Sequence, residues 1–268
     1  MTTVQRAPTP YALNNDEPTA AQMLACLSEI LDEFSQRRLT TAGLPERGRC
    51  LEVGAGNGSI AAWLALQVTP YGKVIATDVK PQHVRPHPMV QVIEHDIAAQ
   101  DPPPGPFDVI HARLLLPHLP NRREVLAGLV DQLAPDGVMV IEDWGRIGGM
   151  VLTSPVLDAA SIYGRYQEAL LRVFQAAGND TGWAEQTADA MTAAGLVDVE
   201  TEVHAESWRG GTPGCQLPIA VARELRPRLL DAGLTADDLD ALVDVMTNPD
   251  TLVLGNPTFS TIGHRAEA

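Results

Sequence analysis

The segment from Arg49 to Ile60 constrains the fold of this chain more than any other. An apolar run ends at Glu52, glycines occupy positions 54, 56 and 58, and an apolar segment with helical character begins at Ser59. A strand, a glycine-rich turn and a helix form the unit that brings a backbone close to a nucleotide-like ligand. Glycine is needed there because a side chain would block the approach, or because the turn requires a positive φ.

The spacing of these glycines argues against two common phosphate-binding turns. A dinucleotide-binding Gly-x-Gly-x-x-Gly turn that starts at Gly54 would need its third glycine at position 59, which is Ser59. The Gly-Lys-Ser/Thr sequence of a P-loop does not follow the glycines either. Glu52, two residues before the first glycine, also suits a cationic ligand better than a pyrophosphate.

Short, continuous apolar runs alternate with helical patterns along most of the chain. Such runs are typical of strands buried on both faces of a parallel sheet. We therefore predict an α/β fold with a doubly wound, mostly parallel seven-stranded sheet, an N-terminal helical segment and helical lid insertions. The predicted strands are Cys50–Val53, Lys73–Thr77, Val90–Ile93, Phe107–His111, Val138–Ile141, Leu196–Glu206 and Leu252–Gly263.

The helical patterns lie before, between and after these strands. The segment from Lys80 to Pro88 contains three prolines, which oppose a helix there, and residues 145–153 resemble a loop. The predicted helices are Ala20–Leu39, Ser59–Gln67, Arg122–Leu133, Pro155–Ala177, Trp183–Ala194 and an insertion over Pro218–Met246. One domain over residues 1–268 is the simplest organisation. It comprises an N-terminal helical cap (1–45), a ligand-binding core (49–144), a helical lid (145–195) and C-terminal strands with a helical insertion (196–268).

Charge and cysteine content limit the class of protein further. The formal net charge of −15 argues against DNA or RNA as a partner, since a basic face would be needed to neutralise phosphates. Cys26, Cys50 and Cys215 are far apart in sequence, which favours a reducing compartment over a disulfide framework. The polar N-terminus lacks the apolar core of a signal peptide, and no apolar run is long enough to span a membrane. These features predict a cytoplasmic location, and they are compatible with a homodimer.

The motif Glu-x-Gly-x-Gly-x-Gly at residues 52–58 resembles the first motif of the class I S-adenosylmethionine-dependent methyltransferases, which have a Rossmann-like fold. Their cofactor carries a sulfonium and an ammonium but no phosphate, in agreement with the position of Glu52. Asp78 follows Gly58 by 20 residues and can accept hydrogen bonds from both ribose hydroxyls. In the family, the position of Asp96 contacts the adenine amino group, and the backbone amide of Ile97 lies near a ring nitrogen. A turn without a ligand is the alternative for the glycines, and capping or turn formation is the alternative for each aspartate.

Further segments extend the resemblance over residues 49–144. Phe107–Arg113 is similar to the fourth-strand motif of the family, and Leu133–Glu142 to the turn and fifth strand that follow. Outside this core, Tyr11–Asn15, His111–Arg113 and Arg209–Gly211 resemble segments of one small-molecule branch. The resemblance implies that S-adenosylmethionine is bound by Tyr11, Glu52, Gly54, Ala55, Gly56, Gly58, Asp78, Val79, Asp96, Ile97, His111 and Arg113.

The activity implied by this resemblance is methyl transfer to a small organic acceptor of secondary metabolism, at oxygen or nitrogen. A cyclase or lyase that uses the cofactor without transferring its methyl group is one alternative. A binding protein of the same fold that has lost the chemistry is another, although the intact Glu52, glycines and Asp78 argue against it.

The acceptor is expected beyond the fourth and fifth strands, because ligands of such sheets bind at the carboxyl ends of the strands. A hydroxyl acceptor benefits from a general base. The candidates are His111, His118, Glu142 and Asp143, of which His118 and Asp143 are selected as catalytic residues. Trp144, Tyr163 and Tyr166 can line an apolar acceptor pocket. The alternatives are a packed His118 at a helix start, a structural cap at Asp143, and ordinary core packing for the three aromatic residues.

A metal site is not predicted. His83 and His87 are four residues apart, as two ligands on one helix would be, and His95 follows. The prolines at positions 81, 86 and 88 oppose the helix that would align the first pair.

Overall fold

The computed structural model describes residue 13, residues 18–68 and residues 71–267. Tyr11 and most of the segment Tyr11–Asn15 lie outside the described residues, so the structure says nothing about their predicted contact with the cofactor.

Helices and strands alternate over the first half of the chain, and helices dominate the second half. The helices are α1 (Pro18–Ala42), α2 (Ser59–Gln67), α3 (Arg122–Asp131), α4 (Ala159–Ala176), α5 (Thr187–Ala193), α6 (Pro213–Glu224), α7 (Arg226–Asp231) and α8 (Ala236–Thr247). The strands are β1 (Arg49–Val53), β2 (Lys73–Asp78), β3 (Val90–Glu94), β4 (Phe107–Arg113), β5 (Leu133–Trp144), β6 (Met150–Thr153), β7 (Leu196–His204), β8 (Ser207–Arg209), β9 (Leu252–Leu254) and β10 (Thr258–Arg265).

A seven-stranded sheet with the order β3-β2-β1-β4-β5-β10-β7 forms the centre of the molecule. The pairs β2–β3, β1–β2, β1–β4 and β4–β5 are parallel, and β10 is antiparallel to both β5 and β7. The predicted doubly wound, mostly parallel sheet is therefore confirmed. Its order reverses between β1 and β4, which brings the carboxyl ends of these two strands to the point where ligands bind in open α/β sheets.

Two helical layers cover the sheet because its central strands are apolar on both sides. On one face, Ile60 and Leu64 of α2 and Leu39 of α1 pack against the sheet residues Cys50 and Val109. On the opposite face, residues of α3 and α5 pack with Trp183 against Leu51 and Met139. This burial is the main source of stability for a core of this kind.

A third apolar cluster joins helices beyond the carboxyl edge of the sheet. It contains residues of α1, α4, α6 and α8, among them Met23, Tyr163, Cys215, Leu242 and Met246. Helix α1 takes part in two layers: its C-terminal part packs on the sheet, and its N-terminal part contributes to this helical cluster. The first helix of the chain therefore lies across the edge where the glycine turn is found.

The segment between β2 and β3 lacks the helix that would cover this edge of the sheet. It forms only a short 3₁₀ helix at Pro81–His83, in agreement with its prolines. Val92 of β3 remains 38% exposed as a result. A groove along the strand is lined by Pro81, Gln82, Val84, Pro86, His87, Val90, Val92 and Glu94.

The structure corrects the sequence-based prediction in the C-terminal half. Residues 145–153, predicted as a loop, include β6, and the predicted last strand, Leu252–Gly263, is two strands, β9 and β10. Strand β9 pairs antiparallel with β6 and with β8, which was not predicted. The three strands are short and come from distant segments, so hydrophobic periodicity carries too little signal to identify them.

Helix boundaries also differ from the prediction. The helix predicted at Pro155–Ala177 is α4, which begins only at Ala159. The helix predicted at Trp183–Ala194 is a 3₁₀ turn at Ala184–Gln186 followed by α5. Within the described residues, no helix combines the length and apolar character that crossing a membrane requires.

Candidate functional site

The glycine turn between β1 and α2 has a backbone that only glycine adopts without strain. The φ angles of Gly54, Gly56 and Gly58 are +72°, +57° and +78°, all in the left-handed region. The N–H groups of Gly54 and Ala55 donate to the carbonyl of Thr77, at 2.8 and 2.9 Å, and so tie the turn to β2. These angles agree with the requirement for a positive φ inferred from the sequence.

Side chains also pack closely against each glycine. A Cβ atom at Gly54 would lie 3.2 Å from Leu115 Cδ1, and one at Gly56 would lie 3.2 Å from Leu24 Cδ2. At Gly58 the distance to Val84 Cγ1 would be 2.8 Å, which is too short for a real contact. The turn is therefore enclosed by α1, the residues after β4 and the segment after β2, and it leaves no room for larger residues.

Asp78 lies at the end of β2 with its carboxylate directed at this turn. It is 7% exposed. Its Oδ2 accepts the N–H of Gly56 at 2.9 Å, and its Oδ1 accepts the N–H of Lys80 at 2.9 Å. Burial raises the pKa of Asp78, while the N–H groups of Lys80 and Gly56 oppose that change. Each carboxylate oxygen has a second lone pair, so Asp78 can still accept hydrogen bonds from a ligand.

Asp96 and Ile97 lie just beyond β3, next to the end of β2. The N–H of His95 donates to the carbonyl of Asp78 at 2.9 Å, which joins the two strand ends. Asp96 Oδ1 accepts the N–H of Ala98 at 3.0 Å, so this residue has the turn-forming role that the sequence left open. Ile97 is buried, whereas Val79 is 46% exposed.

A buried ionic cluster lies beside the glycine turn, on the sheet face that α1 covers. Glu52 and His111 are directly paired between β1 and β4. His111 Nδ1 lies 2.7 Å from Glu52 Oε2, and His111 Nε2 lies 3.3 Å from Glu142 Oε2 of β5. The histidine is fully buried, so these two carboxylates surround it in place of water.

The two carboxylates determine the protonation state of His111. Burial alone would lower the pKa of His111, but the charge of Glu52 and the hydrogen bonds to Glu142 and Glu52 outweigh burial and raise it to about 9. Burial would raise the pKa of Glu142, yet its hydrogen bond with His111 and the positive charge of that ring lower it overall. At neutral pH the cluster is an imidazolium that donates one N–H to each of two carboxylates.

Helix α1 contributes a polar stripe that faces this cluster. Ser28, Asp32, Ser35 and Arg38 recur at helical spacing and lie on the side of α1 that meets the sheet. Ser35 donates to Glu142, and Arg113 donates to Ser35 Oγ at 2.8 Å and to Asp32 Oδ1 at 2.9 Å. The apolar periodicity of this helix predicted the helix but not the stripe, although the spacing of the four polar residues could have indicated it.

The same stripe continues to the glycine turn. Ser28 Oγ donates to Asn57 Oδ1 at 3.0 Å and lies 3.1 Å from Ser59 Oγ, which in turn donates to Asp32 at 3.0 Å. Arg113, predicted as a cofactor-binding residue, is thus part of a chain of polar contacts between α1 and the strand ends. Through these contacts α1 is docked on the turn and on the ionic cluster together.

Buried polar atoms at the end of β5 have no hydrogen-bond partner among the described residues. They are Glu142 Oε1 and Trp144 Nε1. The carboxylate of Asp143 makes no close hydrogen bond, but the backbone N–H groups of Leu115 and Leu114 approach it and oppose the effect of burial on its pKa. Burial, followed by the negative charge of Glu142, raises the pKa of Asp143 well above its usual value. Unpaired buried polar atoms are costly in a folded protein, and a group of them at the ligand-binding edge of a sheet indicates a place where a ligand is received.

His118 has a different environment. It lies in a 3₁₀ turn at Leu116–His118, its Nδ1 accepts Asn179 Nδ2–H at 2.9 Å, and its ring packs edge-on against Phe174. Burial and the charge of Arg122 lower its pKa to about 4. A neutral, packed histidine with one ring nitrogen already bonded corresponds to the packing alternative of the sequence analysis.

The three aromatic residues predicted to line the acceptor pocket lie in or against the helical cluster. Tyr163 and Tyr166 are buried in α4, with their rings stacked at a centroid distance of 6.1 Å. Trp144 is partly buried against the same cluster. The structure therefore brings these three residues to one region beyond β5, whereas His118 contacts the C-terminal end of α4 through Phe174.

Two further observations concern which groups the site could bind, a metal ion or an organic cofactor. In the described part of the chain, no three His, Cys, Asp or Glu side chains come together as metal ligands would. Three carboxylates, those of Glu52, Asp78 and Asp96, lie at or just beyond the carboxyl ends of β1, β2 and β3, and Asp78 contacts the turn of left-handed glycines directly. This set of groups fits a cationic adenosine ligand and does not fit a pyrophosphate.

Comparisons with known proteins agree with this geometry. The family model described as a methyltransferase domain matches residues 23–235. Methyltransferase str2 of Strobilurus tenacellus is 35% identical over 177 residues, which cover 64% of this chain and 61% of the relative. Methyltransferase str3 of the same organism is 34% identical over 141 residues, covering 51% of this chain and 50% of the relative. The chain therefore matches only about half to three fifths of the length of these relatives.

A solved structure supports the fold. Phosphoethanolamine N-methyltransferase 2 of Haemonchus contortus, in complex with phosphomonomethylethanolamine and S-adenosylhomocysteine, aligns with a TM-score of 0.57 at 16% identity. The alignment covers 94% of this chain and 59% of that one. At this identity the likeness concerns the fold alone.

The fold and the glycine turn define a Rossmann-like protein built to bind a cationic adenosine cofactor. Since the family model extends over most of the chain, the protein belongs to the class I S-adenosylmethionine-dependent methyltransferases. The family and fold predicted from the sequence are thereby confirmed.

Proposed function

We propose that this protein transfers a methyl group from S-adenosylmethionine to oxygen or nitrogen of a small organic acceptor held beyond β4 and β5. The observation that carries the proposal is the turn of three left-handed glycines between Glu52 and Asp78. The formal charge of −15 supports a small molecule over a nucleic acid as the acceptor.

The cofactor-binding residues follow from the strand ends. The backbone of Gly54–Gly58 would lie against the cofactor, and Asp78 would accept the ribose hydroxyls with the lone pairs left by Gly56 and Lys80. Asp96 and the amide of Ile97 would meet the adenine, in line with their position next to Asp78. Glu52 would face the cationic amino-acid portion.

The acceptor side is supported by the unpaired atoms at the end of β5. Trp144 carries a buried Nε1–H without a hydrogen-bond acceptor among the described residues, and it packs against the cluster that contains the stacked rings of Tyr163 and Tyr166. A small molecule with an aromatic or aliphatic body and a hydroxyl or amine would find both apolar contact and hydrogen-bond partners there.

S-adenosylmethionine supplies an activated methyl group on a sulfonium, which leaves as a neutral thioether. The acceptor atom forms its bond to the methyl carbon in line with the breaking carbon–sulfur bond, and it loses a proton to a base. Most of the rate enhancement comes from holding the acceptor in this line. Asp143 is the better candidate for the base, because a raised pKa makes its carboxylate a stronger proton acceptor than an ordinary aspartate. His118, with a pKa of about 4, is a weak proton acceptor.

Methyl-labelled S-adenosylmethionine tests the proposal directly. The protein is incubated with the labelled cofactor and a panel of small phenols, alcohols and amines, and products are separated by mass. Labelled product is expected from one class of acceptor. The variant Asp143→Asn should lower the rate by about 10²-fold without changing cofactor affinity, since it removes only the proton acceptor.

Two results would contradict the proposal. Product that forms without label would favour a cyclase or lyase, and cofactor binding without turnover of any acceptor class would favour a binding protein. An unchanged rate in Asp143→Asn would show that Asp143 is not the proton acceptor. Methyl transfer would then depend on the positioning of the acceptor alone.

A further inference from the structure

We propose that His111 is a positioning residue that acts through Glu52: held between Glu52 and Glu142, it orients the Glu52 carboxylate so that the second oxygen of Glu52 faces the cationic group of the cofactor. The inference rests on the proposed cofactor site and adds a role that the family motif does not assign. It also changes the expectation from the sequence, in which His111 contacts the cofactor itself.

The geometry supports an indirect role. The side chain of His111 has no exposed surface, whereas that of Glu52 retains 4%. The ring bonds Glu52 through Oε2, at 2.7 Å, and so fixes one oxygen of the carboxylate. A carboxylate with one oxygen fixed has a defined direction for the other.

Glu142 is what makes His111 suited to this role. A neutral imidazole has one N–H and can donate to only one carboxylate, whereas an imidazolium donates to two. The second carboxylate, Glu142, lies 3.3 Å from Nε2 and is itself held by Ser35 of α1. Glu142 therefore keeps the ring protonated, and a protonated ring always has an N–H to offer to Glu52.

Several charged groups surround this arrangement, and each affects the proton on His111. Glu52 of β1 and Glu142 of β5 favour the imidazolium. Arg113, on the same strand as His111, carries a positive charge, which its ion pair with Asp32 of α1 offsets at 2.9 Å. Asp143 points to the other face of the sheet, and its pKa is raised by burial and by the charge of Glu142. The two carboxylates that hydrogen-bond to the ring directly have the largest effect among these charges, and they keep His111 protonated.

A double-mutant cycle tests whether His111 acts through Glu52. The dissociation constant of S-adenosylhomocysteine, which keeps the ammonium group, is measured by calorimetry for the wild type, Glu52→Gln, His111→Gln and the double variant. We expect His111→Gln to weaken binding by about tenfold in the wild-type background and by less than about twofold in the Glu52→Gln background. His204→Gln is the matched control: this histidine also contacts α1, through Phe34 at 4.8 Å, but lies on β7. The His204→Gln variant should bind S-adenosylhomocysteine with the same dissociation constant as the wild type.

The outcomes separate the inference from the proposed function. If the wild type does not bind S-adenosylhomocysteine, the proposed cofactor site itself is wrong. If the wild type binds and His111→Gln weakens binding equally in both backgrounds, or not at all, the role through Glu52 is overturned while the proposed function stands.

A measurement on the wild type covers the case in which His111→Gln does not fold. Nitrogen NMR of the seven histidine rings reports the protonation of each. His111 should remain doubly protonated above pH 8, with a signal that shifts when S-adenosylhomocysteine is added, while His118 stays neutral. A neutral His111 ring at pH 7.5 would contradict the proposal, and so would a His111 signal that does not shift when S-adenosylhomocysteine is added.

Discussion

At the scale of single residues, the site depends on a few positions where one residue type fits. The glycine turn is the clearest, and it is also what the sequence predicts best, because three alternate glycines after an apolar run allow few other structures. The pairing of Glu52 with His111 is different. These residues are 59 positions apart. No local pattern joins them, and only the register of β1 and β4 brings them into contact.

Gly56 tests the backbone requirement of the turn. Gly56→Ala should lower the free energy of unfolding by about 1 kcal/mol, because alanine is strained at a φ of +57°. It should also weaken S-adenosylmethionine binding, since the turn must shift. Gly164→Ala is the matched control, because Gly164 lies inside α4 with no atom within 4 Å of the added Cβ.

The control should stabilise the protein by up to about 1 kcal/mol, because alanine favours a helix over glycine. Urea unfolding of both variants provides the measurement. Equal effects of the two substitutions would show that the turn has no special backbone requirement.

At the scale of elements, α1 is the helix whose role was least apparent from sequence. Its apolar periodicity predicted a helix but not its place, because the polar stripe on its inner face has partners on four different strands and on the glycine turn. The small sheet of β6, β9 and β8 was missed for a related reason. Its strands are three or four residues long, and they pair across about 100 positions of sequence for β6 with β9 and about 45 for β8 with β9.

Two neighbouring arginines of α1 test how the helix is held. Arg38 has a side chain that is 4% exposed, and it bonds Ser260 on β10 together with Glu200 and Glu202 on β7. Arg37 pairs with the same Glu202, but its side chain is 51% exposed. Arg38→Ala should lower the free energy of unfolding by about 2–3 kcal/mol, because it removes a buried guanidinium that donates to the buried Ser260 and packs between α1 and the sheet.

Arg37→Ala should cost less than about 1 kcal/mol, as exposed ion pairs do. Chemical unfolding of the two variants under identical conditions makes the comparison. A cost for Arg37→Ala as large as that for Arg38→Ala would mean that burial does not set the strength of these contacts.

At the scale of the whole molecule, the sheet was predictable from sequence because its strands are continuous apolar runs with short connections. The arrangement of the second half was not, because the helices there pack on one another through a cluster that mixes residues of α1, α4, α6 and α8. The ionic cluster links the sheet to the helical layer, because it joins the strand ends to α1. Since its charge changes with pH, the stability of the whole protein should depend on pH.

The sign of that dependence follows from His111. In the unfolded chain the ring loses its proton near its usual pKa of 6.5, whereas the folded protein keeps it up to about pH 9. The stabilisation is therefore fully present below pH 6.5 and is lost as the pH rises through 9, by an amount on the order of 3 kcal/mol.

Urea unfolding of the wild type and of His111→Gln between pH 6 and pH 9.5 measures this loss as the difference between the two proteins. The comparison removes the contributions of Asp78 and Asp143, whose pKa values are raised as well. A difference that stays constant over this range would contradict the protonated state of His111.

The most direct test of the account is the binding of S-adenosylmethionine measured by titration calorimetry. We expect saturable binding to the wild type and a dissociation constant about 10- to 100-fold higher for Asp78→Ala, which removes a charged hydrogen-bond acceptor from the ribose. Asp189→Ala, at a side chain that is 82% exposed, serves as the control and should bind like the wild type. No binding to the wild type, or equal binding to Asp78→Ala, would contradict the assignment of the glycine turn as the cofactor site.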